Sequence, residues 1–413
     1  METIAVGEAL NKITLRKYKN GGIITMEKVR LGIIGYGQQG GFYGSLIADN
    51  QVDGMVLGAV AEIDETVDEK IQGDFPDAKI YRDYQEMIDS GDVDAIITTV
   101  PHYLHPEMAT YALNKNIHVL NEKPAGVYTK HVQELNDLAA SKEDVTYAIM
   151  FNQRNNPLYK RIKEIVDNGE IGPIRRTNWI ITNWWRPQAY YDMSAWRATW
   201  GGEGGGVLVN QAPHQLDLLQ WIAGVPESVV GNVKYGYQRD IAVEDEVTAL
   251  LDYGNGATGV FVTATHDIIG TDRLEILGDS GKIVVEDSKK VTVTRMKKSE
   301  NELNKEMDFE GVKDLFMGKM DTSELWEVET FESEDQWGGQ HAGVLENFAQ
   351  NILKGEALLA PGSEGINGVR LANAIHLSDW LDKEVSLTDF DDDLYLAELN
   401  KRIAEEGKFD QRS

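Results

Sequence analysis

The chain has 413 residues, 42% hydrophobic and 26% charged, enough length for two sizeable cores in an ordinary globular composition. A net charge of −28 disfavours nucleic acid and anionic membranes as partners, and no apolar stretch approaches the length of a membrane-spanning helix. The cysteine count of 0 excludes disulfides, a thiolate nucleophile and cysteine-ligated metal, and it suits a cytoplasmic location.

Residues 1–25 mix Lys12, Arg16, Lys17 and Lys19 with polar residues and lack the uninterrupted apolar core of a signal peptide. Met26 directly precedes the first strand candidate, so 1–25 reads as an extension that the fold does not need. From 26 to 150, apolar runs at 30–34, 55–61, 95–100, 117–120 and 145–150 alternate with helical patterns at 41–48, 66–73, 84–89, 106–114 and 130–140. Continuous apolar strands separated by helices predict a doubly wound α/β domain, its parallel sheet covered on both faces.

The first strand breaks into Gly35-Tyr36-Gly37-Gln38-Gln39-Gly40 ahead of a helical segment, which is the layout of a dinucleotide-binding turn. Gly35 would permit the tight turn, Gly37 would let the backbone approach a pyrophosphate, and Gly40 would let the helix pack on the strand. The N–H groups of that helix start favour the phosphate charge. A tight βα turn in any α/β protein has the same form. Glu62, directly after the second strand, narrows the choice: it can hydrogen-bond the ribose hydroxyls of NAD and would repel the 2′-phosphate of NADP. Asp64 competes for that role. The end of the third strand candidate, 95–100, brings Thr99 and Pro101 to where doubly wound sheets hold ligands. His105 opens the next helix as a cofactor contact, a cap or a packing residue. Glu122-Lys123-Pro124 places a lysine at the mouth of the same crevice.

After residue 150 the pattern changes. A helix at 157–168 leads into strand candidates at 175–183, 228–235, 246–252, 257–263, 273–277, 282–285 and 290–295, joined by short turns at 254–256 and 279–281. Such a run predicts a large, mostly antiparallel open sheet. The acidic segment 299–336 reads as irregular with a short strand at 325–330, and helices close the chain at 343–353, 365–382 and 391–406. Residues 26–150 are thus expected to form one domain and 151–413 a second.

Five of the 9 tryptophans, Trp179, Trp184, Trp185, Trp196 and Trp200, lie just ahead of a glycine-rich run. They serve as core, or as flat faces for a sugar or cyclitol ring, with Trp196 and Arg197 the better candidates for the second role. From about Val207 the sequence reads as helix into 218–223, with Pro213 able to disturb or restart it. Asn210 and His214 would then share one helical face, with His214 the natural general base near neutral pH.

Taken together, these motifs resemble the Gfo/Idh/MocA oxidoreductases (glucose-fructose oxidoreductase and inositol dehydrogenase-like proteins) from about Met26 onward. The resemblance rests on Gly35-x-Gly37-x-x-Gly40, Pro101-x-x-x-His105, Glu122-Lys123-Pro124, Trp196-Arg197, the glycine run with His214-x-x-Asp217, and residues 341–355. It implies an N-terminal Rossmann domain that binds NAD, or less readily NADP. It also implies a C-terminal α/β domain serving substrate binding and oligomerisation, and a homo-oligomer, dimer or tetramer. The implied reaction is reversible oxidation of a sugar, sugar-derivative or inositol hydroxyl without a metal. By the same resemblance Tyr36, Gln38, Gln39 and Glu122 join the cofactor contacts. Lys123 meets both the reacting hydroxyl and the cofactor, and His214 takes the hydroxyl proton. Asn210 stands where many members have Asp, so a weaker base than an Asp-paired histidine is expected. His341 opens a helix and either reaches the site or caps. Two other readings share the fold: redox-assisted elimination at a glycosidic bond, and a non-catalytic NAD sensor.

Overall fold

The structure, a computed structural model, describes residues 15–17, 23–25, 27–333 and 338–406. Strands β1 (Leu15–Lys17) and β2 (Ile23–Thr25) pair antiparallel with each other. The remainder of the expected 1–25 extension lies outside the described residues.

Six strands form the first sheet: β3 (Val29–Ile34), β4 (Met55–Ala61), β5 (Lys79–Tyr81), β6 (Ala95–Thr98), β7 (His118–Asn121) and β8 (Tyr147–Ile149). Their order is β5-β4-β3-β6-β7-β8 and every pairing is parallel. This is the doubly wound Rossmann arrangement, and winding reverses between β3 and β6, which opens a crevice beyond their carboxyl ends. Edge strand β5 escaped the sequence reading because three residues cannot display a period.

Leu31, Ile33, Ile96, Ile97, Val119 and Leu120 are fully buried, as a sheet covered on both faces requires. Met87, Ala109, Leu113 and Leu135 cover one face. Tyr43, Leu46 and Ile71 cover part of the other, joined by Leu345, Phe348 and Ile352 of the helix Gly339–Lys354. That helix lies far beyond residue 150 in the chain, yet it completes the core of the first sheet. Burying Leu345 and Phe348 contributes about 1.5–3 kcal/mol each.

The second sheet has nine strands: β9 (Ile174–Ile181), β10 (Ser228–Tyr235), β11 (Glu244–Asp252), β12 (Thr258–Ala264), β13 (Asp272–Gly278), β14 (Gly281–Glu286), β15 (Lys290–Met296), β16 (Trp326–Glu332) and β17 (Val385–Ser386). Its order is β16-β15-β14-β13-β9-β12-β11-β10-β17. All neighbours are antiparallel except β9 with β12. Helices Pro157–Asp167, Pro213–Ala223 and Gly365–Leu381 pack on one face, over Trp179, Phe261, Val247 and Ala249. The opposite face exposes Ile180, Val230, Leu250 and Val328.

Two expectations need correction. The segment 299–336 contains helices Glu300–Glu306 and Phe309–Phe316. Ser299 and Glu302 form a reciprocal capping box and Asp308 caps the second helix, so local hydrogen bonds outweigh the acidic composition. The helix expected from Val207 begins only at Pro213, which occupies the first turn, where its missing N–H costs nothing. Residues 207–211 form turns, with Val209 N–H and Asn210 N–H both bonded to Gly206 O. Asn210 and His214 therefore do not share a helix.

Candidate active site

At the glycine turn Gly35 adopts φ +89°, and its N–H donates to Ala61 O at 2.8 Å. A Cβ on Gly40 would lie 2.0 Å from Gly35 O, so only glycine lets the helix Gln38–Ala48 start against the strand end. A Cβ on Gly37 would meet nothing within 4 Å, which leaves room for a ligand over the exposed turn. Glu62 lies beside it: its carboxylate accepts from Tyr36 N–H at 2.5 Å and from Asp64 N–H at 2.9 Å. Tyr36 offers the turn its backbone alone, because its ring is buried. Asp64 caps the short turn that follows by accepting from Thr66 N–H. The Thr99 hydroxyl donates to Gly35 O at 2.5 Å and so ties β6 to the turn across the crevice.

A cleft of about 370 Å³ continues from this crevice toward the second sheet. Gln38, Gln39, Thr99, His105, Glu122, Lys123, Trp196, Arg197, Asn210 and His214 all line it, and so does His341. Among residues that the sequence reading singled out, Gly35, Tyr36, Gly37, Gly40, Glu62 and Pro101 do not. Apart from Pro101, these belong to the glycine turn and the acid beside it.

Lys123 links the two walls, with its Nζ donating to the backbone carbonyl of Asn210 at 3.3 Å. Burial lowers its pKa, and the carboxylates of Glu122 and Glu203 counter that effect. Glu122 accepts from the Tyr43 hydroxyl and from Lys123 N–H, and burial raises its pKa. His105 is buried with Nδ1 at 2.8 Å from Pro124 O and Nε2 at 2.8 Å from Val100 O, so its polar atoms brace the lysine turn. His214 stands with its pKa well below that of free histidine, through burial first and the positive charge of Lys123 second. It is a neutral imidazole at pH 7, able to accept a proton. Burial also lowers His341, to about 4.

Of the five clustered tryptophans only Trp196 lines the cleft, its ring meeting that of His102 edge-on at 5.8 Å. Trp179 is core and Trp200 is buried among Tyr235, His376 and Trp380. Arg197 lies over the rings of Tyr190 at 4.6 Å and Trp196 at 5.0 Å, and donates to Tyr190 Oη at 2.7 Å. The glycine run is demanded by packing: a Cβ on Gly206 would lie 2.1 Å from Glu244 O.

Two family models match the chain. Residues 29–150 match the oxidoreductase family NAD-binding Rossmann fold, and residues 159–284 match the GFO/IDH/MocA C-terminal domain. The chain belongs to the Gfo/Idh/MocA oxidoreductases. Within this family it is 27% identical to the myo-inositol 2-dehydrogenase of Thermotoga maritima, over 64% of this chain and 77% of that protein. It is 24% identical to the scyllo-inositol 2-dehydrogenase (NADP(+)) of Bacillus subtilis, over 84% of this chain and 93% of that protein. Among solved structures, the WlbA dehydrogenase of Bordetella pertussis with NADH and UDP-GlcNAcA superposes with a TM-score of 0.69 at 22% identity, covering 87% of this chain and 98% of that one.

For a Gfo/Idh/MocA protein the glycine turn, Glu62 and Thr99 suit an NAD dinucleotide: an open turn for the pyrophosphate and an acid beside it for a ribose. The sequence reading passed over three polar groups on or behind the cleft walls. His102 and Asn152 line it, and Glu203 lies buried behind Asn210. His102 sits inside the Pro101–His105 motif and Glu203 interrupts the glycine run, which were the signals available. Nothing local marks Asn152.

Proposed function

We propose that this protein oxidises a hydroxyl of a sugar, a sugar derivative or an inositol, with NAD as the preferred cofactor. The observation that carries the reading is the meeting of Lys123, Asn210 and His214 in one cleft that opens from the dinucleotide turn. When bound, the cofactor supplies hydride acceptance at its nicotinamide. Lys123 then orients the substrate hydroxyl with its ammonium, neutral His214 accepts the proton it gives up, and Asn210 orients the substrate by hydrogen-bonding an adjoining hydroxyl. Trp196 offers an apolar face and Arg197 a cation to the rest of the ring. Glu62 favours NAD because a 2′-phosphate beside it would be repelled.

The test is a panel of inositols, aldoses and glycosides with NAD or NADP, read as reduced-cofactor absorbance. NAD-linked turnover of at least one polyol is expected. Preference for NADP would overturn the part given to Glu62, and bound NAD without turnover would overturn the dehydrogenase reading. A homo-oligomer paired through the exposed face of the second sheet is part of this proposal, supported by Ile180, Val230, Leu250 and Val328 on that face. Light scattering that returned a single-chain mass would refute it. Among the described residues no helix is long and apolar enough to cross a membrane, and a cytoplasmic location is proposed with the rest.

A further inference from the structure

The run between Trp200 and Gly206 carries an acid that the proposed reaction has not used. Glu203 is 2% exposed. It sits on a turn in which its own N–H and that of Gly204 both reach Thr199 O at 3.0 Å. One carboxyl oxygen accepts from Ala198 N–H at 2.7 Å, and the other accepts from the amide Nδ2 of Asn210. The titratable and charged groups around it are Lys123 from the first sheet's side, Arg197 and Tyr191 from the segment that follows β9, and Glu244 from β11. His102 Nδ1 lies 3.2 Å from its backbone carbonyl.

A carboxylate can only accept hydrogen bonds, so it dictates which end of a neighbouring amide faces it. With Nδ2 given to Glu203, the remaining acceptor of Asn210, Oδ1, is the group left for the cleft that Asn210 lines. We propose that Glu203 is a positioning residue that supplies the carboxylate of this acid–base site, holding Asn210 so that Oδ1 receives a substrate hydroxyl adjoining the reacting one and setting a negative charge opposite Lys123. The inference rests on the dehydrogenase reading above. It also accounts for Asn at 210: an Asp there would put two carboxylates in contact, and only one could ionise.

A loop clamp alone would need no charge. Ala198 N–H requires an acceptor, which a glutamine provides equally well. A glutamine at 203 that goes on accepting from Ala198 N–H would however turn its own N–H toward Asn210 Nδ2, and that clash of donors reorients the amide. Burial lifts the carboxyl to about 7, against the hydrogen bonds from Ala198 and Asn210, so its charge changes near neutral pH. Below that pH a protonated Glu203 becomes a donor and the amide loses its fixed direction. Activity should therefore rise with pH through about 7.

The experiment compares the wild type with Glu203→Gln, Asn210→Asp and the double variant, which exchanges amide and acid. Glu203→Gln should lower kcat on the order of 100-fold, with KM changed much less, and should remove the rise through neutral pH. Asn210→Asp should also be slow, and the double variant should recover to within about tenfold of the wild type. A Glu203→Gln enzyme with wild-type kcat and pH profile, or a double variant no faster than either single one, overturns the proposal. A second arm needs no turnover. Infrared titration of the wild type should show a carboxyl ionising near pH 7 that Glu203→Gln abolishes, and its absence likewise overturns the proposal. If the wild type oxidises nothing in the panel, the dehydrogenase reading fails by itself, and the infrared arm still decides whether Glu203 holds this charge.

Discussion

The parallel-sheet wall of the cleft is a row of strand ends, whereas the facing wall is a run of turns between β9 and the helix Pro213–Ala223. On the first wall, Thr99 and Glu122 hold their places because β6 and β7 are paired in a ladder, and short bonds such as Thr98 Oγ1 to Asn121 at 2.5 Å lock the turn that follows. On the second, carboxylates gather backbone N–H groups, those of Glu203 and Glu244 being buried. Glu203 accepts from Ala198, Glu244 from Leu208, and Glu406, at the end of the last helix, from Trp200 and Gly201. The first wall is thus an outcome of sheet geometry, and the second an outcome of charges drawn from distant parts of the chain. A wall built the first way suits an invariant cofactor. A wall built the second way can be reshaped by single substitutions.

The sharpest break of this comparison is Lys123→Met, which removes the ammonium that joins the walls at Asn210. Turnover should fall on the order of 10³-fold. NADH affinity, read by fluorescence titration, should change only a few-fold. Next comes the ion pair of Arg154 with Asp217, both buried, which anchors the helix carrying His214 and reaches Glu364 as well. Arg154→Met leaves Asp217 unpaired and should cost about 3–5 kcal/mol in urea unfolding.

A smaller effect tests the first wall. Gly40→Ala forces a methyl against Gly35 O, a strain of about 1–3 kcal/mol, so NADH should bind roughly 10- to 100-fold more weakly while kcat at saturating cofactor holds. Glu62→Ala should raise KM for NAD about tenfold and narrow the preference over NADP, measured as the ratio of kcat/KM values. A last effect, read as stability rather than turnover, sharpens the second wall. Glu203 holds its proton to about pH 7 in the fold, against 4.5 as the ordinary value. The ionisation cost of its burial is therefore absent below about 4.5 and grows as pH rises to about 7. The Tm of Glu203→Gln relative to the wild type should rise across that window and level off above it.

Much of the first wall was legible before any coordinates. The glycine spacing, Glu62 and the Glu122-Lys123-Pro124 turn are local patterns, because a βα turn fixes its residues within a few positions of one another. The second wall was legible only in part. Asn210 and His214 do reach the same cleft, but through a turn and a new helix start, since Pro213 ends one hydrogen-bond ladder and begins another. The tryptophan cluster divided for a similar reason: alternation along a strand sends Trp179 inward, and only contact with His102 marks Trp196 as the one that lines the cleft.

The sequence by itself determined the class of both sheets and the glycine turn after the first strand, because periodicity and short-range spacing are enough for these; Lys123 and His214 stood out as candidates through the family resemblance. Only the tertiary structure decided that the helix Gly339–Lys354 belongs to the core of the first sheet, and that Glu203 stands behind Asn210. Hydrophobic burial and carboxylate desolvation depend on which surfaces meet, and residues far apart in sequence carry no local mark of that meeting.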